Sequence, residues 1–286
     1  MMTTVAETLQ SAARALHSHS ASPRLDAELL LAKTLGLSRP GLIARGNDLV
    51  AGDRERAFSM LIERRLAGAP VAYLTGTREF WSLALDVTPD VLVPRPETEL
   101  LVELALQVLP RGQASSVLDL GTGSGAVALA IASERPLAAV TAVDVSAPAL
   151  DVAIQNSRNL ELSSNLGLSR IDWRLGSWFA PVAGERFDVI VSNPPYVAAA
   201  DPALQTLNAE PALALCPGPT GLEALSAITA AAAAHLREGG RLILEHGSDQ
   251  ATAVAQMLER HGFTAVRSHL DFSGKPRVTL GSVHST

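Results

Sequence analysis

The chain has 286 residues, of which 47% are hydrophobic and 18% are charged, a composition that supports a packed core and argues against disorder. The formal net charge of −6 argues against a protein that holds nucleic acid by its phosphates, since such proteins usually carry a basic excess. The single cysteine, Cys216, excludes an intrachain disulfide and a cysteine-ligated metal cluster.

No targeting segment or membrane span is predicted. The sequence does not open with a charged start followed by an apolar run, and its most alanine-rich stretch, 224–236, is shorter than the ~20 apolar residues that a span needs. We therefore expect a cytoplasmic protein that does not associate with membranes. The histidines show no metal-ligand spacing, so no metal is expected.

Residues 1–75 have the pattern of a small helical domain. Apolar residues recur at helical spacing between Val5 and Leu16, and Ser22-Pro23 is typical of a helix start. No residue in this region suggests catalysis.

The pattern changes in residues 76–97. Apolar residues between Phe80 and Val93 predict extended strands around a turn at 89–90. Segment 94–99 reads PRPETE, and a proline followed by glutamates in the first turn is typical of a helix start.

From residue 98 onward, strands and helices alternate, with a long helix predicted over Gly221–Leu236. The predicted strands are Val117–Leu120, Ala139–Val143, Ile171–Leu175, Phe187–Ser192, Arg241–Glu245, Ala265–His269 and Val278–Leu280. Strands separated by helices predict an α/β fold, with a parallel sheet covered by helices on both faces. Ligands bind such sheets beyond the carboxyl ends of the strands, where the strand order reverses.

A glycine-rich loop follows the first of these strands. It reads DLGTGSG from Asp119 to Gly125. Glycine lets the backbone approach a ligand closely, and the start of the next helix offers free N–H groups. The loop lacks the lysine of a phosphate-binding P-loop, and its glycine spacing differs from that of a dinucleotide site.

Asp144 ends the second strand, beside the glycine loop. A carboxylate there can accept both hydroxyl hydrogens of a ribose, although it could also cap the helix that follows. The loop and the acid together predict an adenosine-type cofactor, which is either S-adenosylmethionine or a nicotinamide dinucleotide.

The fourth strand ends in Ser192 and is followed by Asn193-Pro194-Pro195-Tyr196. A proline pair alone would be a stiff turn. The tetrapeptide resembles the motif of methyltransferases that modify planar nitrogens, namely adenine N6 in nucleic acids and glutamine N5 in proteins. By that similarity, the Asn193 side-chain carbonyl and the Pro194 backbone carbonyl accept the two N–H groups, and Tyr196 packs on the flat amide. Catalysis is then mostly alignment of the nitrogen with the methyl group.

The resemblance extends over nearly the whole chain, which is similar to the peptide chain release factor glutamine N5-methyltransferase family. The segments that carry it are 23–30 (PRLDAELL), 70–76 (PVAYLTG) with Phe80, 91–99 (VLVPRPETE), 121–125, Asp144, 193–196, Glu210-Pro211 with Ala214-Leu215, and Leu244-Glu245 followed by Gln250. The helical N-terminal region and the proline-rich stretch before the sheet distinguish this family from adenine methyltransferases.

The family resemblance implies three parts: an N-terminal helical substrate-docking domain (1–75), a hairpin-like connector (76–97) and a seven-stranded, Rossmann-like S-adenosylmethionine-dependent methyltransferase domain (98–286). It implies methyl transfer from S-adenosylmethionine, which leaves as S-adenosylhomocysteine, to the glutamine of the Gly-Gly-Gln motif of release factors, modulating translation termination. Release factors are then the protein partner, and no direct nucleic-acid binding is expected.

Site residues carry over position by position. The implied cofactor contacts are Gly121, Thr122, Gly123, Ser124, Gly125, Asp144, Trp178 and Asn193. The implied glutamine clamp is Asn193, Pro194, Pro195 and Tyr196.

Three alternative functions compete with this hypothesis. A nucleic-acid adenine N6-methyltransferase would share the tetrapeptide, but the acidic balance and the lack of a target-recognition region argue against it. A nicotinamide-dependent oxidoreductase disagrees with the glycine spacing and leaves Asn-Pro-Pro-Tyr unexplained. A catalytically silent binding module would keep the fold, although the intact motif residues argue against it.

Overall fold

The chain divides into two compact units, Met1–Thr77 and Arg78–Thr286, in the computed structural model, which describes residues 3–164 and 170–284. Each unit has a hydrophobic core of its own. None of the helices in the described ranges is long and apolar enough to cross a membrane.

The first unit is helical, as the periodicity predicts. Its helices are α1 (Val5–Ala15), α2 (Pro23–Leu35), α3 (Arg39–Ala44), α4 (Gly52–Leu66) and α5 (Val71–Thr75). Thr4 begins α1 with a capping box, in which its hydroxyl accepts the N–H of Glu7 and the Glu7 carboxylate accepts the N–H of Thr4. Gly36 ends α2 in the left-handed conformation, at a φ of 67°.

Two acids of the PRLDAELL segment hold α2 against its neighbours. Asp26 and Glu28 are only 6% and 9% exposed. Arg65 of α4 pairs with Asp26 at 2.8 Å, and Arg39 of α3 pairs with Glu28 at 2.8 Å. Because buried charges need partners, these pairs explain how the acids can face inward.

A short hairpin, β1 (Thr77–Phe80) and β2 (Leu83–Asp86), opens the second unit. Its turn lies at Trp81 and Ser82, whose φ angles are 51° and 58°. The predicted turn at 89–90 is present, since the N–H of Val91 donates to the carbonyl of Thr88 at 3.2 Å, but the strand predicted after it does not form. Neither Trp81 nor Ser82 is a glycine or asparagine, the usual signal for two positive φ angles, so the local sequence does not predict the turn at 81–82.

Long-range hydrogen bonds explain where the hairpin turns. The backbone N–H of Trp81 donates to Glu99 Oε1 at 2.9 Å, and its indole N–H donates to Glu134 Oε1 at 3.1 Å. Residues 87–95 form no strand, and the N–H of Val93 donates to Glu210 Oε2 at 3.1 Å. The apolar pattern of 87–95 thus reflects burial against distant residues and not a β-ladder.

The rest of the second unit alternates strands with helices. The strands are β3 (Ser116–Leu120), β4 (Ala139–Asp144), β5 (Asp172–Leu175), β6 (Phe187–Ser192), β7 (Leu236–Glu245), β8 (Thr264–Leu270) and β9 (Pro276–Ser282). The helices are α6 (Glu99–Val108), α7 (Ala126–Glu134), α8 (Ala147–Ser164), α9 (Ala203–Thr206), α10 (Ala212–Leu215), α11 (Glu223–Ala232) and α12 (Ala251–Arg260).

The strands form one seven-stranded sheet in the order β5-β4-β3-β6-β7-β9-β8, which confirms the predicted α/β fold. The five strands from β5 to β7 are parallel, whereas β9 is antiparallel to both β7 and β8. The chain runs outward from β3 through β4 to β5 and then returns to place β6 on the other side of β3. This reversal opens a crevice at the carboxyl ends of β3 and β6.

Both faces of the sheet are buried by helices. Successive side chains of a strand point to opposite faces, so Val117 joins the core that includes α6 and α7, while Leu118 joins the core that includes α11 and α12. Helix α7 is buried all round, from Ala126 to Ala132, which accounts for its lack of polar residues in that span.

The segment before β7 differs from its prediction. The predicted helix Gly221–Leu236 is shorter in the structure, because α11 ends at Ala232 and a single 3-10 turn follows. Strand β7 then begins at Leu236 and not at Arg241. Leu236 pairs with Phe187 of β6, so strand pairing overrides the helical pattern at this point.

Candidate active site

A cavity of about 440 Å³ lies at the carboxyl edge of the sheet, a size suited to a small-molecule ligand. The ends of three strands meet there, since Leu120 of β3 pairs with Val143 of β4 and with Ser192 of β6. The predicted site residues that line the cavity are Gly121, Thr122, Gly123, Ser124, Asp144, Trp178, Asn193 and Pro195. Gly125, Pro194 and Tyr196 are not among its lining residues.

The glycine loop folds back onto β4. The N–H groups of Gly121 and Thr122 both donate to the carbonyl of Val143, at 2.9 and 3.1 Å. Gly121 and Gly123 have φ angles of 73° and 55°, in the left-handed region that favours glycine. The bare backbone of this loop therefore forms one wall of the cavity.

Asp144 connects the glycine loop to the start of α8. Its Oδ2 accepts the N–H of Gly123 at 2.8 Å, and its Oδ1 accepts the N–H of Ser146 at 2.9 Å. Burial raises the pKa of Asp144, although these hydrogen bonds oppose the effect. The second bond forms a turn just before α8, and the helix itself is capped by Ser146, whose hydroxyl accepts the N–H of Ala149 at 3.3 Å. Carboxylate oxygens have further lone pairs, so these bonds leave Asp144 able to accept ligand hydroxyls as well.

Asp119 is a cavity residue that was not among the predicted site residues. It is 1% exposed, and the Thr122 hydroxyl donates to its Oδ2 at 2.7 Å. Burial raises the pKa of Asp119 to about 7, and the negative charge of Asp144 adds to the shift. An acid at the first position of the glycine motif was the available signal, because that position is the carboxyl end of a buried strand.

Gly125 has a packing role and does not contact the cavity. It lies at the start of α7 with a φ of 82°. A Cβ at this position would come within 3.1 Å of Leu129, Ala153 and Trp173. The residue thus allows α7 to pack closely against α8 and β5.

We expect Gly125→Ala to lower the free energy of unfolding by about 2–4 kcal/mol, the sum of a left-handed alanine and an overpacked contact. Chemical denaturation of the purified variant measures this. Gly112→Ala is the matched control: its φ is 76°, but a Cβ there would meet no atom within 4 Å in the part of the chain that the structure describes. Equal losses in the two variants would show that packing around Gly125 contributes nothing.

Trp178 lies against the glycine loop. A Cβ at Gly121 would lie 3.7 Å from its Cζ3, and both residues line the cavity. Trp178 has a φ of 45°, which is uncommon for a bulky side chain. Its indole provides a flat apolar surface next to Asp144, as the adenine of an adenosyl group requires.

Asn193 lines the same cavity, directly after β6. Its Nδ2 donates to Thr98 Oγ1 at 3.0 Å. This bond defines the orientation of the side-chain amide, so Oδ1 is the atom left to accept a hydrogen bond from a substrate. Thr98 is 4% exposed and also lines the cavity.

Tyr196 is held away from the cavity. Its hydroxyl donates to Glu245 Oε1 at 3.2 Å, and its ring packs against the core that includes α11 and α12. Burial raises the pKa of Tyr196, with the charge of Glu245 adding to the effect. The predicted packing of Tyr196 on a substrate amide stays a prediction, as does the role of the Pro194 carbonyl.

An ion pair lies beside the cavity, through the lining residue Arg95. Arg95 pairs with Glu210, and the N–H of Val93 donates to the second oxygen of the same carboxylate at 3.1 Å. Glu210 is 7% exposed, and Leu213 also lines the cavity. The role of this pair was missed from the sequence because its members are 115 residues apart.

The cavity residues fit an adenosyl cofactor that carries positive charge. Asp144 offers acceptors for ribose hydroxyls, Trp178 offers a flat apolar surface, and the glycine loop allows close approach of the backbone. Asp119 is a second acid in the same wall, available to balance a cationic group. S-adenosylmethionine combines a ribose, an adenine and positive charge, so its groups match this set.

Two family models match the chain. The model described as PrmC N-terminal domain matches residues 7–76, and the model described as Methyltransferase small domain matches residues 97–215. A methyltransferase from Pyrococcus furiosus has a similar fold, with a TM-score of 0.52 at 21% identity over 71% of this chain and 89% of that chain.

Curated relatives cover almost the whole length. A release factor glutamine methyltransferase of Xylella fastidiosa is 48% identical over 90% of this chain and 92% of its own. A protein of the same name from Burkholderia pseudomallei is 47% identical over 96% of this chain and 98% of its own. The chain therefore belongs to the release factor glutamine methyltransferase family.

Proposed function

We propose that this chain transfers a methyl group from S-adenosylmethionine to the side-chain amide nitrogen of the glutamine in the Gly-Gly-Gln motif of peptide chain release factors, and so modulates translation termination. The observation that carries this proposal is the oriented amide of Asn193 in the cavity that Asp144 and the glycine loop also line; Asn193 follows β6 and Asp144 ends β4, on opposite sides of β3.

The chemistry of an amide explains why an oriented acceptor is needed. The lone pair of an amide nitrogen is delocalised, so the nitrogen reacts only when its geometry is controlled. Asn193 Oδ1 accepts one N–H of the substrate amide, and the backbone carbonyl of Pro194 accepts the other. The rings of Pro194 and Pro195 restrict the backbone, which limits the directions that this carbonyl can take. Holding the nitrogen in line with its target supplies most of the catalysis.

The cofactor occupies the other end of the cavity. Gly121, Gly123, Asp144 and Trp178 would hold its adenosyl part, and Asp119 would balance its positive charge. When bound, S-adenosylmethionine supplies an electrophilic methyl group on a sulfonium sulfur and is left as S-adenosylhomocysteine. No general base is assigned, since an amide nitrogen that has gained a methyl group loses its proton readily to water.

The N-terminal helical domain (1–75) is proposed to dock the release factor, with residues 76–97 as its hairpin-like connector. A single glutamine side chain fills only part of a cavity of about 440 Å³, so recognition of a whole protein requires surface elsewhere. The proposed substrate places the enzyme in the cytoplasm.

Mass spectrometry of a purified bacterial release factor, incubated with the enzyme and S-adenosylmethionine, tests the proposal. One added methyl group on the glutamine of Gly-Gly-Gln is expected. A release factor with that glutamine replaced by alanine is the matched control and should gain none. Transfer to adenine in an oligonucleotide, with none to the release factor, would instead support the adenine methyltransferase alternative.

A further inference from the structure

Glu245 is a buried acid directly behind the Asn-Pro-Pro-Tyr segment. It is the last residue of β7, and its neighbour Leu244 pairs with Ser192, the residue before Asn193. Glu245 is 1% exposed, and its Oε1 accepts the hydroxyl of Tyr196 at 3.2 Å. Its Oε2 is also buried and makes no hydrogen bond with the residues that the structure describes. A buried carboxyl oxygen without a partner is costly, which indicates a role beyond packing.

Thr98 links this acid to Asn193. The Thr98 hydroxyl accepts the Nδ2–H of Asn193 at 3.0 Å, which leaves its own single proton to donate. The Thr98 hydroxyl is also close enough to Glu245 to lower the pKa of that carboxyl, so its proton is available to Oε2, which has no other partner among the described residues. Glu245 therefore contacts Tyr196 directly and lies close to Thr98, the hydrogen-bond partner of Asn193.

We propose that Glu245 is a positioning residue for the amide clamp: its ionised carboxylate accepts the hydroxyl protons of Thr98 and Tyr196, so that Thr98 Oγ1 keeps a lone pair directed at Asn193 Nδ2. Asn193 Oδ1 then stays directed at the substrate. The inference rests on the proposed function for its substrate and goes beyond it in assigning the group that orients the acceptor.

The protonation state of Glu245 decides whether this arrangement holds. Burial raises its pKa to about 7, and the charge of Glu97 adds to the shift. Arg277 and the hydroxyls of Thr98 and Tyr196 act in the opposite direction.

Protonated Glu245 becomes a donor and competes with Asn193 Nδ2 for the lone pairs of Thr98. The ionised form predominates above the pKa, so kcat is expected to rise as the pH rises through about 7. The titrations of two other groups near the site must be distinguished from that of Glu245. His246, the next residue, has a pKa lowered by burial, and Asp119 also has a pKa of about 7 but lies at the cofactor end.

Glu245→Gln separates these possibilities, because glutamine keeps the shape but presents a permanent N–H donor. At saturating S-adenosylmethionine, we expect kcat to fall by about tenfold to a hundredfold, with the affinity for S-adenosylmethionine and the melting temperature close to those of the unmodified enzyme. The rise of kcat near pH 7 should disappear. Thr98→Val should lose a similar part of kcat, and Thr98→Ser, which restores the hydroxyl, should recover most of it.

Asp188→Asn is the matched control. Asp188 lies near the amino end of β6, next to β7, and pairs with Arg237 far from the cavity. Its replacement removes a charge from the same sheet and should leave the pH dependence of kcat in place. If Glu245→Gln keeps full kcat, or loses kcat and thermal stability together, the positioning role is wrong. A rise near pH 7 that persists in Glu245→Gln assigns the titration to another group and also overturns the inference.

A readout without substrate distinguishes failure of this inference from failure of the proposed function. The side-chain amide signals of Asn193 in a ¹⁵N-labelled enzyme, identified by their loss in Asn193→Asp, should shift with a midpoint near pH 7 and should stay fixed in Glu245→Gln. Absence of transfer to a release factor would overturn the proposed function alone. If the Asn193 signals change neither with pH nor on the Glu245→Gln substitution, the positioning role alone is wrong.

Discussion

Asn193→Ala is expected to reduce kcat for methyl transfer by about 10²- to 10³-fold, the cost of removing one preorganised hydrogen-bonding group from a reaction centre. The variant loses Oδ1, the acceptor that aligns the substrate nitrogen. Its affinity for S-adenosylmethionine should change little, because Asp144, Trp178 and the glycine loop, which form the cofactor end of the cavity, are untouched. Single-turnover kinetics measure the transfer step, and isothermal titration measures the cofactor affinity.

Asn193→Asp sharpens this test. It keeps an oxygen in place of Oδ1 but replaces the Nδ2 donor that holds the side chain on Thr98. If orientation matters as much as the acceptor itself, Asn193→Asp should be nearly as slow as Asn193→Ala. A loss of cofactor affinity as large as the loss of kcat in either variant would contradict the division of the cavity into a cofactor end and an amide end.

The cofactor end of the site was predictable because its signals are local. Gly121 and Gly123 lie in a short motif whose glycines adopt positive φ angles. Asp144 ends the neighbouring parallel strand, and parallel strands that are adjacent bring their carboxyl ends to one edge. Gly125 belongs to the same motif yet packs against Ala153, so the motif alone does not separate contact from packing.

The remaining features depend on residues that are distant in sequence. The hairpin turns at Trp81 because Glu99 and Glu134 accept hydrogen bonds from its two N–H groups. A local sequence pattern cannot predict those bonds. Glu245 was part of a recognised segment, but its contact with Tyr196 spans 49 residues and depends on the pairing of β6 with β7. Burial between strands that are distant in sequence also raises the pKa of Glu245. Neither composition nor residue spacing predicts that shift.

Asp144→Ala is expected to weaken the binding of S-adenosylmethionine by about tenfold to a hundredfold, the range for losing hydrogen bonds to a charged group. The substitution removes the acceptors for the ribose and also releases the N–H of Gly123, which the carboxylate holds at 2.8 Å. Loosening of the glycine loop adds to the loss. Isothermal titration should show it, while kcat at saturating cofactor falls much less than in Asn193→Ala.

The pH dependence of cofactor binding gives an independent check on Asp144. Its pKa is raised by burial, so on acidification it takes up a proton at a higher pH than an exposed aspartate does, and the affinity should fall with it. Asp151→Ala, which removes an exposed carboxylate from α8, is the control and should bind as the unmodified enzyme does. Asp119 lines the same end with a pKa of about 7, so Asp144→Ala should keep a pH dependence from Asp119, with its midpoint moved to lower pH because the charge of Asp144 that raises this pKa is gone. If Asp144→Ala binds S-adenosylmethionine as tightly as Asp151→Ala does, the ribose role of this acid is wrong and its hydrogen bonds to the two loops are purely structural.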